Sequence, residues 1–179
     1  MDIRTPELET ERLQLRLFQK DDVEEVFARW ESDPEVSRYM CWESHNDIKK
    51  TEEFLAYEAS MVDSATWYRW CIEEKETKEM LGTCLIFFND EDGYWDVSYN
   101  LAKAYLGKGY ITEAMKAVLA FAETQLGIKE VVTTYAVENS ASGRVLEKLG
   151  FRYEKDVPYE CSGGKIQTTG RLCRWNADN

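Results

Sequence analysis

This sequence predicts an α+β fold: a mixed, mostly antiparallel central sheet of six to seven strands flanked by helices, in a single domain over residues 1–179. Three observations predict it. Segments whose apolar residues recur at helical spacing stand between segments that alternate apolar and polar residues, so both element types are present. Several strand segments follow one another with only a short turn between them, which suits antiparallel pairing. No linker, low-complexity stretch or repeat divides the 179 residues, and their 44% hydrophobic content suits one sizeable core.

Leu13, Leu15 and Leu17 alternate with polar residues as a first strand. Asp21-Asp22-Val23-Glu24 then reads as an N-cap with an acid three residues on, and Val23, Val26, Phe27 and Trp30 give the following helix a buried face. Pro34 interrupts, and a second helix runs from about Asp47 to Ser60, carrying Ile48, Phe54 and Leu55. Trp67 to Ile72 and Met80 to Phe88 are strands joined by a charged turn; Asn89-Asp90-Glu91-Asp92-Gly93 turns the chain again into a strand from Tyr94 to Leu101. Ile111, Met115, Val118, Leu119 and Ala122 mark a third helix, stopped at Leu126-Gly127. Val131 to Val137 is β-branched and continuous enough for a central strand, and Ser140 to Leu149 is a short helix closed by Gly150. Phe151–Tyr159 and Ile166–Trp175 form a hairpin turning at Ser162-Gly163-Gly164. Periodicity alone does not distinguish this order from other mixed α+β sheets.

Charge is unevenly distributed. The chain carries 22 basic and 34 acidic residues, net −12, which argues against nonspecific nucleic-acid binding. Leu101 to Arg152 departs from this with 7 basic and 5 acidic residues, net +2, while the rest holds 15 basic and 29 acidic, net −14. A polyanionic ligand belongs with the one non-acidic stretch, where Lys103, Lys108, Arg144 and Lys148 can screen phosphates. The acidic remainder either attracts a cationic amine or serves solubility alone. No apolar run approaches the roughly 20 residues of a membrane span and the N-terminus is acidic, so a cytoplasmic location without membrane association is expected. Five cysteines, Cys41, Cys71, Cys84, Cys161 and Cys173, form no C-x-x-C pair. They read as reduced, mostly buried thiols and indicate neither a disulfide framework nor a zinc site; no metal is expected.

The most informative run is Tyr105-Leu106-Gly107-Lys108-Gly109-Tyr110-Ile111-Thr112-Glu113-Ala114, a glycine-flanked turn opening into an amphipathic helix. Glycines let the backbone bend tightly and approach a ligand, and the unpaired N–H groups of a helix's first turn point the same way, so the N–H groups from Lys108 to Ala114 are expected to hold phosphate. A P-loop would require Ser or Thr after the lysine as a magnesium ligand, but Gly109 follows Lys108. About thirty residues on stands Asn139-Ser140-Ala141-Ser142-Gly143-Arg144-Val145-Leu146-Glu147-Lys148-Leu149-Gly150-Phe151. The two motifs, in this order and spacing, resemble the GCN5-related N-acetyltransferase (GNAT) superfamily, in the branch of the ribosomal-protein-alanine N-acetyltransferases (RimJ/RimL-like). Glu9-Thr10-Glu11-Arg12-Leu13-Gln14-Leu15-Arg16, Ser32-Asp33-Pro34-Glu35-Val36 and Asp96-Val97-Ser98-Tyr99-Asn100-Leu101 extend the resemblance over most of the chain.

The resemblance implies an acetyl-CoA-dependent transfer to a primary amine, small molecule or protein N-terminus, by direct attack in a ternary complex. Such an amine is almost wholly protonated at neutral pH, so a base must take its proton first. The family position for that carboxylate is Asp96, with Glu43, Glu160 or water as substitutes; otherwise Asp96 is a polar residue on the solvent side of a strand. The backbone at Leu101 and Ala102 is implied to bind pantetheine and polarise the thioester carbonyl, Lys103 and residues Lys108, Gly109, Tyr110, Ile111, Thr112, Glu113 and Ala114 to hold the rest of the cofactor, and Asn139 to contact the pantetheine arm. Other branches protonate the departing thiolate from a tyrosine, but Leu146 stands there; in the ribosomal-protein branch the donor position matches Ser142. Asn139 and Ser142 also suit simple helix capping. Two departures from the pyrophosphate signature stand out, Leu106 in its first position and Ile111 in its last, the latter adding bulk where backbone should approach phosphate.

Tyr39, Trp42, Tyr94, Trp95 and Tyr159 fall on segments that flank the acceptor groove in the resembling fold, and alternatively are core or homodimer contacts. His45 reads as a solvated loop residue. Two other functions stay open at this point: a catalytically silent acyl-CoA-binding or regulatory module on the same fold, and a nucleotide-binding protein using the glycine turn differently.

Overall fold

Five strands pair in chain order. In the computed structural model, which describes residues 3–178, β1 (Leu8–Glu9), β2 (Leu13–Arg16), β3 (Trp67–Glu74), β4 (Met80–Asn89) and β5 (Tyr94–Leu101) form an antiparallel sheet. β6 (Glu130–Ala136), β7 (Arg152–Cys161) and β8 (Ile166–Asn176) form a second antiparallel sheet in the order β6-β8-β7. The α+β expectation holds, with the strands divided between β5 and β6. No backbone ladder joins those two strands; the Thr133 hydroxyl donates to the Val97 carbonyl instead (3.3 Å). That edge of β5 therefore keeps main-chain groups for something other than a neighbouring strand.

Register assigns the faces. Trp67 lies opposite Phe87 and Phe87 opposite Asp96, while Cys71 lies opposite Thr83 and Thr83 opposite Asn100. With a side-chain period of two, Trp67, Arg69, Thr83, Asp96 and Asn100 share one face, and Tyr68, Trp70, Ile86, Val97 and Tyr99 the other. The second face is covered by α4 (Tyr110–Thr124), whose buried Ile111, Met115, Val118 and Phe121 enter the main core. Phe121 meets Trp70 edge-on at 5.6 Å.

The first face is covered by α3 (Ile48–Met61) and by the stretch before it. Asp47 caps α3 by accepting from the Lys49 N–H (3.0 Å). The single helix expected after Asp21 is instead a short 3₁₀ turn, α1 (Val23–Val26), and a π-helical turn over Phe27–Glu31 that buries both Trp30 and Glu31. Pro34 opens a one-turn helix, α2 (Pro34–Ser37), at the first position, where its missing N–H costs nothing. The hairpin of β7 and β8 closes over the following loop: the Ser162 N–H donates to the Met40 carbonyl (2.7 Å) and the Tyr159 hydroxyl to that of Tyr39 (3.2 Å).

Candidate active site

Gly109 is the N-cap of α4 in the left-handed region (φ 78°), which an L side chain adopts only with strain. The first helical bond runs from the Glu113 N–H to the Gly109 carbonyl (3.1 Å). The N–H groups of Glu113 and Ala114, expected to reach phosphate, are thus committed to the helix; those of Gly109, Tyr110, Ile111 and Thr112 are the orphans of the first turn. Arg12, in the turn between β1 and β2, braces the start of α4. Its Nε donates to Glu113 Oε1 (2.7 Å) and both terminal nitrogens to the Lys108 carbonyl (3.1 Å each), while its guanidinium stacks 4.4 Å from the Tyr110 ring centre. Thr10 adds a hydroxyl to Glu113 Oε2 (2.5 Å). Ile111 does not crowd the turn: its side chain is buried in the core on the opposite side of the helix. Leu106 is exposed, and Lys103 is paired with Glu35 (2.5 Å).

At the end of β5 the Ala102 N–H donates to the Leu81 carbonyl (2.8 Å), so it is not free for a thioester. Antiparallel alternation then turns the Leu101 N–H to the unpaired edge of β5, facing the gap before β6. Gly82 permits this approach of β4 and β5: a Cβ there would lie 2.1 Å from the Asn100 carbonyl oxygen.

Asp96 lies half-buried on the face of β5 that also carries Asn100, and accepts from the Val97 N–H (2.7 Å). Burial pushes its carboxyl up to about 6; Thr133 and the Val97 N–H pull it partly back, and the charge of Asp92 adds to the rise. Across the gap, α5 (Ser140–Leu149) begins at Asn139, whose side chain accepts from the Ser142 N–H (3.3 Å). Ser142 Oγ is 2.9 Å from the Tyr99 hydroxyl, joining β5 to α5. Asn139 is therefore a cap, and Ser142 holds a partner that the sequence did not indicate. Leu146 is buried. Glu43 and Glu160, the substitute bases, are engaged with Lys165 and with the Gln167 amide (2.8 Å) respectively.

Residues 12–152 match the acetyltransferase (GNAT) domain family. The chain belongs to the GNAT acetyltransferases. It is similar to the uncharacterized N-acetyltransferase p20 of Bacillus licheniformis, 30% identical over 161 residues that cover 89% of this chain and 90% of that protein. Among solved structures, the GNAT-family acetyltransferase from Bacillus anthracis superposes with a TM-score of 0.83 at 21% identity, covering 97% of this chain and 100% of that one. The ribosomal L7/L12 α-N-protein acetyltransferase RimL, in complex with coenzyme A, does so at 0.82 and 14% identity, covering 97% and 99%. These two likenesses carry the fold. As a GNAT acetyltransferase the protein takes acetyl-CoA as cosubstrate, and nothing supports the silent-module reading. No cluster of three or more His, Cys, Asp or Glu side chains is placed to hold a metal among the described residues. No helix among them is long and apolar enough to cross a membrane.

The acetyltransferase also holds a cavity of about 350 Å³ on the α3 side of the sheet, between Trp30, Trp42, Phe54, Trp67 and Asn100. Of the aromatics expected at an acceptor groove only Trp42 lines it. Tyr39 and Tyr159 lock the hairpin to the loop, and Trp95 packs with Tyr68 (6.4 Å) and Phe88 (5.7 Å). His45 is not a solvated loop residue: its Nε2 lies 2.9 Å from the buried Glu31 carboxylate, which also accepts from Thr51 (2.5 Å). Glu58 and Arg69 form a second buried pair (2.7 Å). A histidine 14 residues from its partner and a buried glutamate on a π-helical turn leave no local sequence signal.

Proposed function

We propose that this acetyltransferase moves the acetyl group of acetyl-CoA directly onto a primary amine, of a small molecule or a protein N-terminus, within a ternary complex, with Asp96 as the base. The observation that carries this reading is the open edge of β5 at Leu101, which faces the gap before β6, together with the unpaired N–H groups that open α4; Asp96, whose carboxyl burial pushes up to about 6, stands on the same strand. At neutral pH it is mostly ionised yet far more basic than an ordinary aspartate, which suits a proton acceptor. The amine passes its proton through water to Asp96, which stands five residues before Leu101 on β5, and its nitrogen bonds to the thioester carbonyl carbon. The Leu101 N–H receives the developing oxyanion, and the carbon–sulfur bond then breaks.

The departing thiolate takes its proton from Ser142, and the second proton of the attacking nitrogen, shed as the amide forms, returns to the Ser142 oxygen. Tyr99 supports that role, since burial holds its phenol well above its ordinary pKa and so protonated, in a hydrogen bond that positions the Ser142 hydroxyl. Acetyl-CoA lies along the open edge of β5, its pantetheine beside Leu101, Ala102 and Asn139 and its pyrophosphate on the N–H groups opening α4, from Gly109 to Thr112, with Lys108 nearby. Glu113 and Ala114 contribute through the shape of this turn and not as donors, and Lys103 is held by Glu35.

Thiol release from acetyl-CoA in the presence of a panel of primary amines tests the reading. Amine-dependent release is expected, and Ser142→Ala should lower kcat about tenfold or more while leaving acetyl-CoA affinity within a factor of about two. Equal loss of both would make Ser142 a binding residue only.

A further inference from the structure

Resting on the amine-acetylation reading above, we infer that the cavity beneath α3 selects a small aromatic amine that carries an oxygen next to its amino group, such as an aromatic amino-acid amide, in preference to a polyamine. The walls set the body of the ligand. Trp30, Trp42, Phe54, Tyr57 and Trp67 all line a space of about 350 Å³, near the lower end of the ~300–1,000 Å³ usual for small-molecule sites, which suits one compact planar group.

The charges set what the ligand is not. Each carboxylate at the cavity already has a cationic or hydrogen-bonding partner: Glu31 has His45 and Thr51, Glu58 has Arg69 and the Trp67 indole N–H (2.9 Å), and Glu43 has Lys165. A second or third ammonium would find no unpaired anion there, and its desolvation would go uncompensated.

The polar groups left over set the rest. Four buried polar atoms on residues lining the cavity make no hydrogen bond among the described residues, His45 Nδ1, Glu58 Oε1, Arg69 Nε and Asn100 Nδ2; Glu58 and Arg69 face each other as an ion pair, and Asn100 Nδ2 is the amide donor left without any partner. A buried donor of this kind is satisfied by a ligand oxygen. Asn100 precedes Leu101 on β5, so its Cα lies only ~3.8 Å from that of the residue offering an N–H to the thioester. An oxygen bound by Asn100 therefore sits close to the amine under attack, as in an α-amino carbonyl compound.

Initial rates with phenylalaninamide, phenethylamine, alaninamide and spermidine test this on the wild type and on Asn100→Ala. The expected result is a kcat/KM for phenylalaninamide about tenfold or more above those of alaninamide and spermidine, since the ring is what the cavity buries. Asn100→Ala should then lower kcat/KM about three- to tenfold more for phenylalaninamide than for phenethylamine, which lacks the oxygen. Alaninamide or spermidine matching phenylalaninamide, or an equal loss for both aromatic amines in Asn100→Ala, would overturn the inference while leaving amine acetylation intact. Acetyl-CoA binding without acetylation of any amine would overturn the proposed function with it.

Discussion

Asp96 ties the site to pH in two opposite ways. Its carboxyl moves from 3.8 to about 6 mainly because burial penalises the charge. As a base it works ionised, so kcat/KM should climb as pH rises through about 6, and Asp96→Asn should lose that limb, recovering part of the rate at high pH as free amine becomes abundant. Stability runs the other way. The folded state keeps this proton to higher pH than the unfolded chain, so ionising Asp96 lowers stability as pH rises from about 4 to 6. Asp96→Asn is therefore expected to be more stable than the wild type at pH 7, by about 1–2 kcal/mol given the partial exposure of the side chain, with the gap closing toward pH 4. Thermal denaturation at the two pH values, beside a kcat/KM profile, reads both effects; an unchanged rate profile would move the base to Glu43, Glu160 or water.

The start of α4 is an element held in place by a residue 101 positions away. Arg12 joins the Glu113 carboxylate to the Lys108 carbonyl, so the carbonyl points back toward β2 and the orphan N–H groups of the turn point outward. Glu113 gains from the same contacts, its carboxyl lying below the ordinary range through Thr10 and Arg12 despite the opposing effect of burial. Removing the brace should loosen the turn and leave the chemistry on β5 in place. Arg12→Ala is expected to raise the KM for acetyl-CoA about tenfold with kcat within about threefold, and Arg12→Lys, which keeps one of the two linkages, should recover part of the affinity. A fall in kcat with KM unchanged would contradict this positioning role.

Over the whole molecule, the net charge of −12 draws cations toward the surface, while the cavity beneath α3 has its own carboxylates compensated. Long-range attraction and local selection therefore separate experimentally. Between about 20 and 300 mM salt the Debye length shrinks from roughly 20 to 6 Å, so kcat/KM for spermidine should fall about threefold or more and that for phenylalaninamide by less than about twofold. A flat response for spermidine would show that the acidic surface does not steer acceptors.

What the sequence determined by itself is local. The periods of α3, α4 and α5, the strand alternation, the glycine turn at Gly109, the cap at Asn139 and the paired motifs are all written within runs of a dozen or so residues, because backbone preference and side-chain period act between neighbours. From these the α+β class and the family were legible, and Asp96 and Ser142 could be named as candidates. Tertiary structure alone decided which N–H groups stay free, since that depends on Ala102 pairing with Leu81 and on where the first bond of α4 falls. It also decided the Arg12 brace, the Tyr99–Ser142 contact, the Glu31–His45 pair and the cavity that gathers Trp30, Phe54, Trp67 and Asn100. Each joins residues distant in the chain through strand register and helix packing, and a side chain's nearest partner in space leaves no mark on the residues beside it in sequence.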